Sequence, residues 1–191
     1  MKFVLASQSP RRRDLLQLLR IPFTVCPADI DEAMDPSLPP QQEVARVSRL
    51  KAEATPRNAG DVVIAADTIV VLEGKVLGKP ADKADAIGML RSLSGRDHQV
   101  MTGVTVLRHD KAITHTEITD VHFRPLTEGE ILRYVETGEP MDKAGAYGIQ
   151  GYAAPFVESI RGDYYNVMGL PVCCLWQMLR HIAPEHMEET Q

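Results

Sequence analysis

Phe3-Val4-Leu5-Ala6-Ser7-Gln8-Ser9-Pro10-Arg11-Arg12-Arg13-Asp14-Leu15-Leu16 joins an apolar, strand-like triplet to a helix start through a turn of small residues. Ser9 suits the N-cap and Pro10 the first helical position, and Leu15, Leu16, Leu18 and Leu19 follow, so the pattern predicts a helix over 10-19. Strand, tight turn and helix are the repeating unit of an α/β protein. Three arginines occupy the first turn of that helix, where unpaired N–H groups and the macrodipole already make the field positive. They cost stability there unless an anion shares them. The turn is therefore a candidate phosphate site, with Ser7, Ser9 and the backbone amides as further donors. Arg12 lies on the same stripe as Leu15, Leu16 and Leu19, which points its guanidinium inward. The same arginines also read as a solvated basic patch.

Working outward, strand-like runs at 2-5, 61-66, 69-72, 100-107 and 118-123 alternate with helical patterns at 10-19, 41-55, 82-93, 127-137 and 171-182. Glu73-Gly74 between Val71 and Val76 predicts a tight hairpin, and 98-107 with 112-123 an antiparallel pair. The sheet is therefore expected to be mixed. The proline-rich, acidic segment 27-40 and the glycine-punctuated stretch 138-170 read as loops, the second long enough to suggest a functional role. One compact domain with two lobes is expected over 1-183, with a frayed tail at 184-191.

The chain has 191 residues, 44% hydrophobic and 25% charged, which is ordinary for a soluble globular protein. A net charge of -5 and a pI near 5.7 argue against a nucleic-acid groove or an anionic membrane as main partner, since both favour basic surfaces. Three cysteines, two adjacent, give no disulfide framework and are expected to be buried small hydrophobes. Without a signal peptide or a long apolar span, the protein reads as cytoplasmic.

Val62-Val63-Ile64-Ala65-Ala66 reads as a buried strand running into Asp67-Thr68. Ligands gather beyond the carboxyl ends of such strands, so Asp67 is a candidate for metal binding or proton abstraction; its other reading is a cap or turn aspartate. Lys51 shares a helical stripe with Val44, Val47 and Ala54, so it either finds a buried partner or reaches along the surface to water. Ser48-Arg-Leu-Lys51 fits an S-x-x-K pattern, but no S-D-N or K-T-G element accompanies it. Lys79 in Gly78-Lys-Pro80 lies within reach of the same strand-end cleft. Neither a P-loop nor a dinucleotide fingerprint is present. The histidines and cysteines show no paired zinc spacing. Asp29, Asp31, Glu32, Asp67 and Asp142 instead suit a hard cation such as Mg²⁺, or are simply solvated acids.

Eight segments, in order, extend this pattern through almost the whole chain: Leu5-Ala-Ser-Gln-Ser-Pro-Arg-Arg12, Asp31-Glu32, Lys51-Ala52, Ala65-Ala-Asp-Thr68, Gly78-Lys-Pro80, Leu93-Ser-Gly95, Asp142-Lys-Ala-Gly-Ala-Tyr-Gly-Ile-Gln-Gly151 and Gly162-Asp-Tyr-Tyr-Asn-Val-Met-Gly-Leu-Pro171. Together they resemble the Maf family of nucleoside triphosphate pyrophosphatases. The resemblance implies an α/β fold in which a mixed, strongly twisted sheet is flanked by helices and two lobes surround a central cleft, similar to inosine triphosphate pyrophosphatases. It also implies a homodimer and hydrolysis between the α and β phosphates with a divalent cation, Mg²⁺ or Mn²⁺.

The form Ala-Tyr-Gly-Ile-Gln150-Gly is similar to the branch acting on dTTP and UTP in nucleotide house-cleaning. By that resemblance Asp67 is the proton acceptor, Glu32 and Asp67 hold the metal, and Lys51, Lys79, Arg12 and Ser7 bear on the phosphates. Arg12, Thr68 and Gln150 set base selectivity, and Asp142 joins the substrate-binding group. A glutamine amide offers both a donor and an acceptor to a uracil edge, which fits that role. The alternative readings are a non-catalytic nucleotide-binding regulator of cell division or septum formation, and a house-cleaning hydrolase that prefers purine or modified nucleotides, modified pyrimidines among them.

Overall fold

The computed structural model describes residues 1–33, 35 and 37–187. In chain order the elements are β1 (Phe3–Leu5), α1 (Pro10–Gln17), β2 (Phe23–Val25), α2 (Pro40–Ala54), β3 (Val62–Leu72), β4 (Lys75–Leu77), α3 (Lys83–Leu93), β5 (Asp97–Arg108), β6 (Lys111–Phe123), α4 (Glu128–Glu136), β7 (Val157–Arg161), α5 (Tyr164–Met168), α6 (Val172–Ile182) and α7 (Pro184–Met187). One seven-stranded sheet runs β2-β1-β3-β5-β6-β7, with β4 paired to β3. β1 is parallel to β2 and β3, whereas β4 is antiparallel to β3 and β7 antiparallel to β6. The sheet is mixed, as expected. β3 is apolar on both faces because it is central, lying between β1 and β5.

Local chemistry sets the connections. Val71 faces Val76 and Leu72 faces Lys75, so Glu73 and Gly74 form the whole β3–β4 turn, with φ of 50° and 79°. Positive φ at both positions is what a twist-matched hairpin requires. α4 starts at a complete capping box, in which Thr127 accepts from the Glu130 amide and Glu130 accepts from the Thr127 amide. At Gly103 of β5 an added Cβ would lie 2.3 Å from the carbonyl oxygen of Val44, so only glycine lets α2 lie this close to the strand. Ser48 of α2, Thr105 and Thr114 continue that contact as a chain of hydroxyls spaced 2.8 and 2.9 Å.

The chain forms two compact units: Met1–Asp67 with Thr102–Glu117 and the segment from Gly169 onward, and Thr68–Met101 with Ile118–Met168. The first unit contains a cluster of Val4, Ala6, Ala52, Val63, Ala65 and Leu107. The second is built on α3 and α4 with Phe123, Tyr134, Tyr147 and Phe156, whose rings meet edge to face. Among the described residues no helix is long and apolar enough to cross a membrane.

Several expectations need correction. α1 ends at Gln17, and Leu18 is 57% exposed, so only Leu15 and Leu16 of the leucine run are buried. Ser9 occupies the N-cap position without a side-chain capping bond. The runs 61-66 and 69-72 are one strand, because pairing with β4 carries β3 past the polar pair Asp67-Thr68. The stretch 138-170 holds three short 3-10 turns, β7 and α5, so it is not a structureless loop. Cys173 is exposed and Cys26 and Cys174 are half-buried, so none of the three is a core residue. The frayed tail expected from 184 begins instead as α7, with Met187 buried, and residues 188–191 lie outside the described residues.

Candidate active site

In the first unit, β1 delivers the chain to the turn before α1. The Ala6 amide donates to the Ile64 carbonyl at 2.8 Å, which fixes the turn against β3. Ser7 is buried, and its Oγ receives the Ser9 amide at 3.2 Å and an Arg12 guanidinium N–H at 3.3 Å. Arg12 Nε donates to the carbonyl of Gly169 at 2.8 Å. The guanidinium thus points inward. Burial lowers its pKa, and the charges of Asp67 and Glu32 oppose that shift while Arg11 adds to it. No acidic residue in the first turn of α1 offsets the arginines.

The buried lysine on α2 has found its partners. Lys51 Nζ donates to Asp67 Oδ1 at 2.7 Å and lies 3.0 Å from Glu32 Oε2. Its side chain is 9% exposed, against 18% for Asp67 and 55% for Glu32. An ammonium held this deep is tolerable only because two carboxylates face it. Asp67 sits inside β3 and not at its carboxyl end; it and Thr68 are the half-exposed pair in an otherwise buried strand. The acidic donors suit a hard cation, since Lys51 contacts one oxygen of each carboxylate and a carboxylate has two.

Glu32 is held near Lys51 by a residue the sequence reading passed over. Glu43 of α2 is fully buried; its carboxylate accepts from the Asp35 amide at 2.8 Å and from Arg46 Nε at 2.8 Å. Arg46 also donates to the Ala33 carbonyl at 3.0 Å. The Arg46 hydrogen bond holds the Glu43 pKa below the usual carboxylate range. This pair ties the acidic segment to α2. The signal was present in the sequence, because Glu43, Val47 and Lys51 recur every four residues on one helical stripe.

The second unit holds Thr68, Lys79, Asp142 and Gln150. Thr68 is joined to Asp67 by a peptide bond. Lys79 is exposed in the loop after β4, and that loop is anchored where the Gly145 amide donates to the Gly78 carbonyl at 3.0 Å. Asp142 is exposed and pairs with Lys143 at 2.7 Å, while Lys143 also donates to the Glu139 carbonyl at 2.6 Å. Gln150 is exposed on a turn whose neighbours are fixed by Glu139. The Glu139 carboxylate accepts from Tyr134 Oη at 2.9 Å and from the Tyr152 amide at 3.0 Å, and Tyr134 Oη accepts from the Gly148 amide at 3.2 Å. A Cβ at Gly151 would lie 2.3 Å from Glu139 Oε1, and one at Gly148 would lie 2.7 Å from Lys143 Cε. These glycines therefore let the turn close over the Glu139–Lys143 pair. Glu139 and Tyr134 carried no sequence signal, because the groups they hold lie on other segments.

This strand-turn-helix start and the mixed sheet define an α/β protein whose first unit carries an inward arginine and a lysine–carboxylate triad. The chain belongs to the Maf family: the family described as Maf-like protein matches residues 2–182. It is 53% identical over 179 residues to a protein of Symbiobacterium thermophilum named dTTP/UTP pyrophosphatase, spanning 93% of this chain and 92% of the relative. A Bacillus velezensis protein of the same name is 48% identical over 180 residues, covering 94% of this chain and 95% of the relative. Among solved structures, a HAM1 protein from Coxiella burnetii superposes with a TM-score of 0.54 at 14% identity, covering 95% of this chain and 99% of the other, a likeness of fold.

Proposed function

We infer that this chain is a hydrolase that converts dTTP and UTP to their monophosphates and pyrophosphate, in the house-cleaning of nucleotide pools. The observation that carries the reading is the triad of Lys51 with Asp67 and Glu32, on a chain 53% identical over nearly its whole length to a relative bearing that name.

In this reading Asp67 takes the proton from a water aimed at the α phosphorus, and the bond from that phosphorus to the bridging oxygen breaks to release pyrophosphate. Lys51, Arg12, Lys79 and the Ser7 region offset charge on the triphosphate and on the leaving pyrophosphate, which is most of what such chemistry requires. Glu32 and Asp67 would hold Mg²⁺ or Mn²⁺, which supplies charge for the phosphate oxygens and a more acidic water. Thr68, Gln150 and Arg12 are assigned to reading the base, and Asp142 to substrate binding. Lys51 has a double duty: it keeps the two carboxylates together in the free enzyme, and its ammonium lies 2.7 Å from the proton acceptor.

The test is product identification with UTP or dTTP and Mg²⁺ or Mn²⁺. Monophosphate and pyrophosphate in equal amounts are expected. Orthophosphate with a diphosphate would defeat the assignment, and binding without turnover would favour the regulator.

A further inference from the structure

His115 and Glu117 stand two residues apart on β6, so both side chains leave the strand on the same face. Cys174 of α6 meets them there: one imidazole nitrogen, one carboxylate oxygen and the thiol sulfur lie within 4.8 Å of one another. His115 Nε2 is 3.3 Å from Glu117 Oε2. Two ligands held at roughly 2.0–2.2 Å around a tetrahedral ion sit about 3.4 Å apart, so this pair already has the spacing of one tetrahedral edge. Glu117 and Cys174 are half-buried and His115 is exposed, which leaves one side open for a water as fourth ligand. A second soft sulfur, Met178 Sδ, lies 3.7 Å from Cys174 Sγ. All three residues belong to the first unit, and none serves the nucleotide chemistry proposed above.

We propose that His115, Glu117 and Cys174 form a three-ligand site for a borderline transition cation of the Zn²⁺ class, built from residues other than the Glu32 and Asp67 carboxylates. The donor set decides the class of ion. Thiolate and imidazole favour Zn²⁺ and its neighbours, whereas Mg²⁺ and Mn²⁺ prefer oxygen ligands. On binding, the thiol proton leaves to solvent and a metal–sulfur bond forms; no electron moves. The ion would staple α6 to β6 and so stabilise the first unit in proportion to its occupancy. No paired spacing betrayed this site in the sequence, because two ligands come from alternate strand positions and the third from a distant helix.

Co²⁺, which reports thiolate ligation through near-ultraviolet charge-transfer absorbance, is the probe to titrate into the full chain, with Zn²⁺ as competitor. We expect about one equivalent of Co²⁺ to bind with a thiolate band, and Zn²⁺ to displace it. Cys174→Ser should abolish the band, and His115→Ala should weaken Co²⁺ binding about tenfold or more, the scale of losses at metal sites. Cys173→Ser and Asp67→Asn should leave the band intact. His115→Ala changes an exposed side chain, so it keeps the test sound if Cys174→Ser misfolds. Absence of a thiolate band, its persistence in Cys174→Ser, or its loss in Asp67→Asn would each overturn the proposal.

Discussion

Asp67→Asn separates the chemistry of the triad from its contribution to the fold. The substitution keeps the shape of the side chain and an oxygen facing Lys51 Nζ, 2.7 Å away in the native protein, but removes the charge. Breaking a buried ion pair outright costs roughly 3–5 kcal/mol, since a charge is left without compensation. Here Lys51 keeps Glu32 at 3.0 Å, and the amide oxygen of the substituted side chain still accepts its hydrogen bond, so the loss shrinks to the difference between an ionised and a neutral acceptor, about 1–2 kcal/mol. For a chain of this size each kcal/mol lowers Tm by roughly 2–4 °C, so the variant should fold and melt only slightly early. Turnover should behave differently. Removal of a general base that also carries metal charge lowers kcat by about 100-fold or more. Pyrophosphate release from UTP under saturating Mg²⁺ measures the second effect, and denaturant unfolding with an unchanged slope measures the first. Turnover within about threefold of the native enzyme would refute the role assigned to Asp67 and move it to Glu32; a stability loss well beyond the ion-pair range would make Asp67 a keystone of folding instead.

Gln150→Glu, on an exposed turn residue, should leave stability within about 0.5 kcal/mol of native yet shift selectivity away from UTP and dTTP by roughly ten- to a hundredfold in relative kcat/KM, as for one unsatisfied polar contact. Equal loss on every nucleotide in a substrate panel would make it a structural residue. His98, hydrogen-bonded to Tyr147 Oη at 2.8 Å and packed edge-on against Phe123, has its pKa lowered from 6.5 to about 4 by burial, with the Arg96 backbone and Asp97 opposing and His122 adding. The unfolded chain then binds more protons between those values, so stability present above pH 6.5 is lost as pH falls toward about 4, by up to roughly 3 kcal/mol, and unfolding measured across that window should flatten in His98→Gln.

The parts of this protein legible in its sequence are those that local rules govern. Glu73-Gly74 announces a hairpin because a glycine, which adopts positive φ freely, lies in a two-residue gap between apolar runs, and the five longest helices announce themselves by periodicity. β2 and β7 escaped notice for opposite reasons. Phe23-Thr24-Val25 is too short to show a period, and it becomes a strand only by pairing alongside β1. Val157-Glu-Ser-Ile-Arg161 is too polar to resemble a strand until β6 supplies its partner. The break expected at Asp67-Thr68 failed similarly, since a polar pair ends a strand only when the chain has no further partner, and β4 is one.

The site follows the same logic in reverse. Arg12 and Lys51 stood out because each violates a local rule, cations at a helix N-terminus and an ammonium on an apolar stripe, and Asp67 because it follows a buried apolar run where ligands gather. Such violations persist only if something distant compensates them, and here they compensate one another. Lys51 meets Asp67 and Glu32, and the charges of the same two carboxylates favour the half-buried Arg12 guanidinium. Glu43 and Glu139 were silent for the complementary reason: on a helix stripe or in a loop, one glutamate breaks no rule until backbone amides from elsewhere converge on it. Balance also bears on function. In the proposed function, Lys51 and Arg12 face the carboxylates of Asp67 and Glu32, so a triphosphate arriving with a divalent cation would exchange these pairings, cations to phosphate and carboxylates to metal, without stranding a charge. A constellation that only stabilised the fold would gain nothing from such exchangeable partners, since apolar residues of similar volume do that work as well or better.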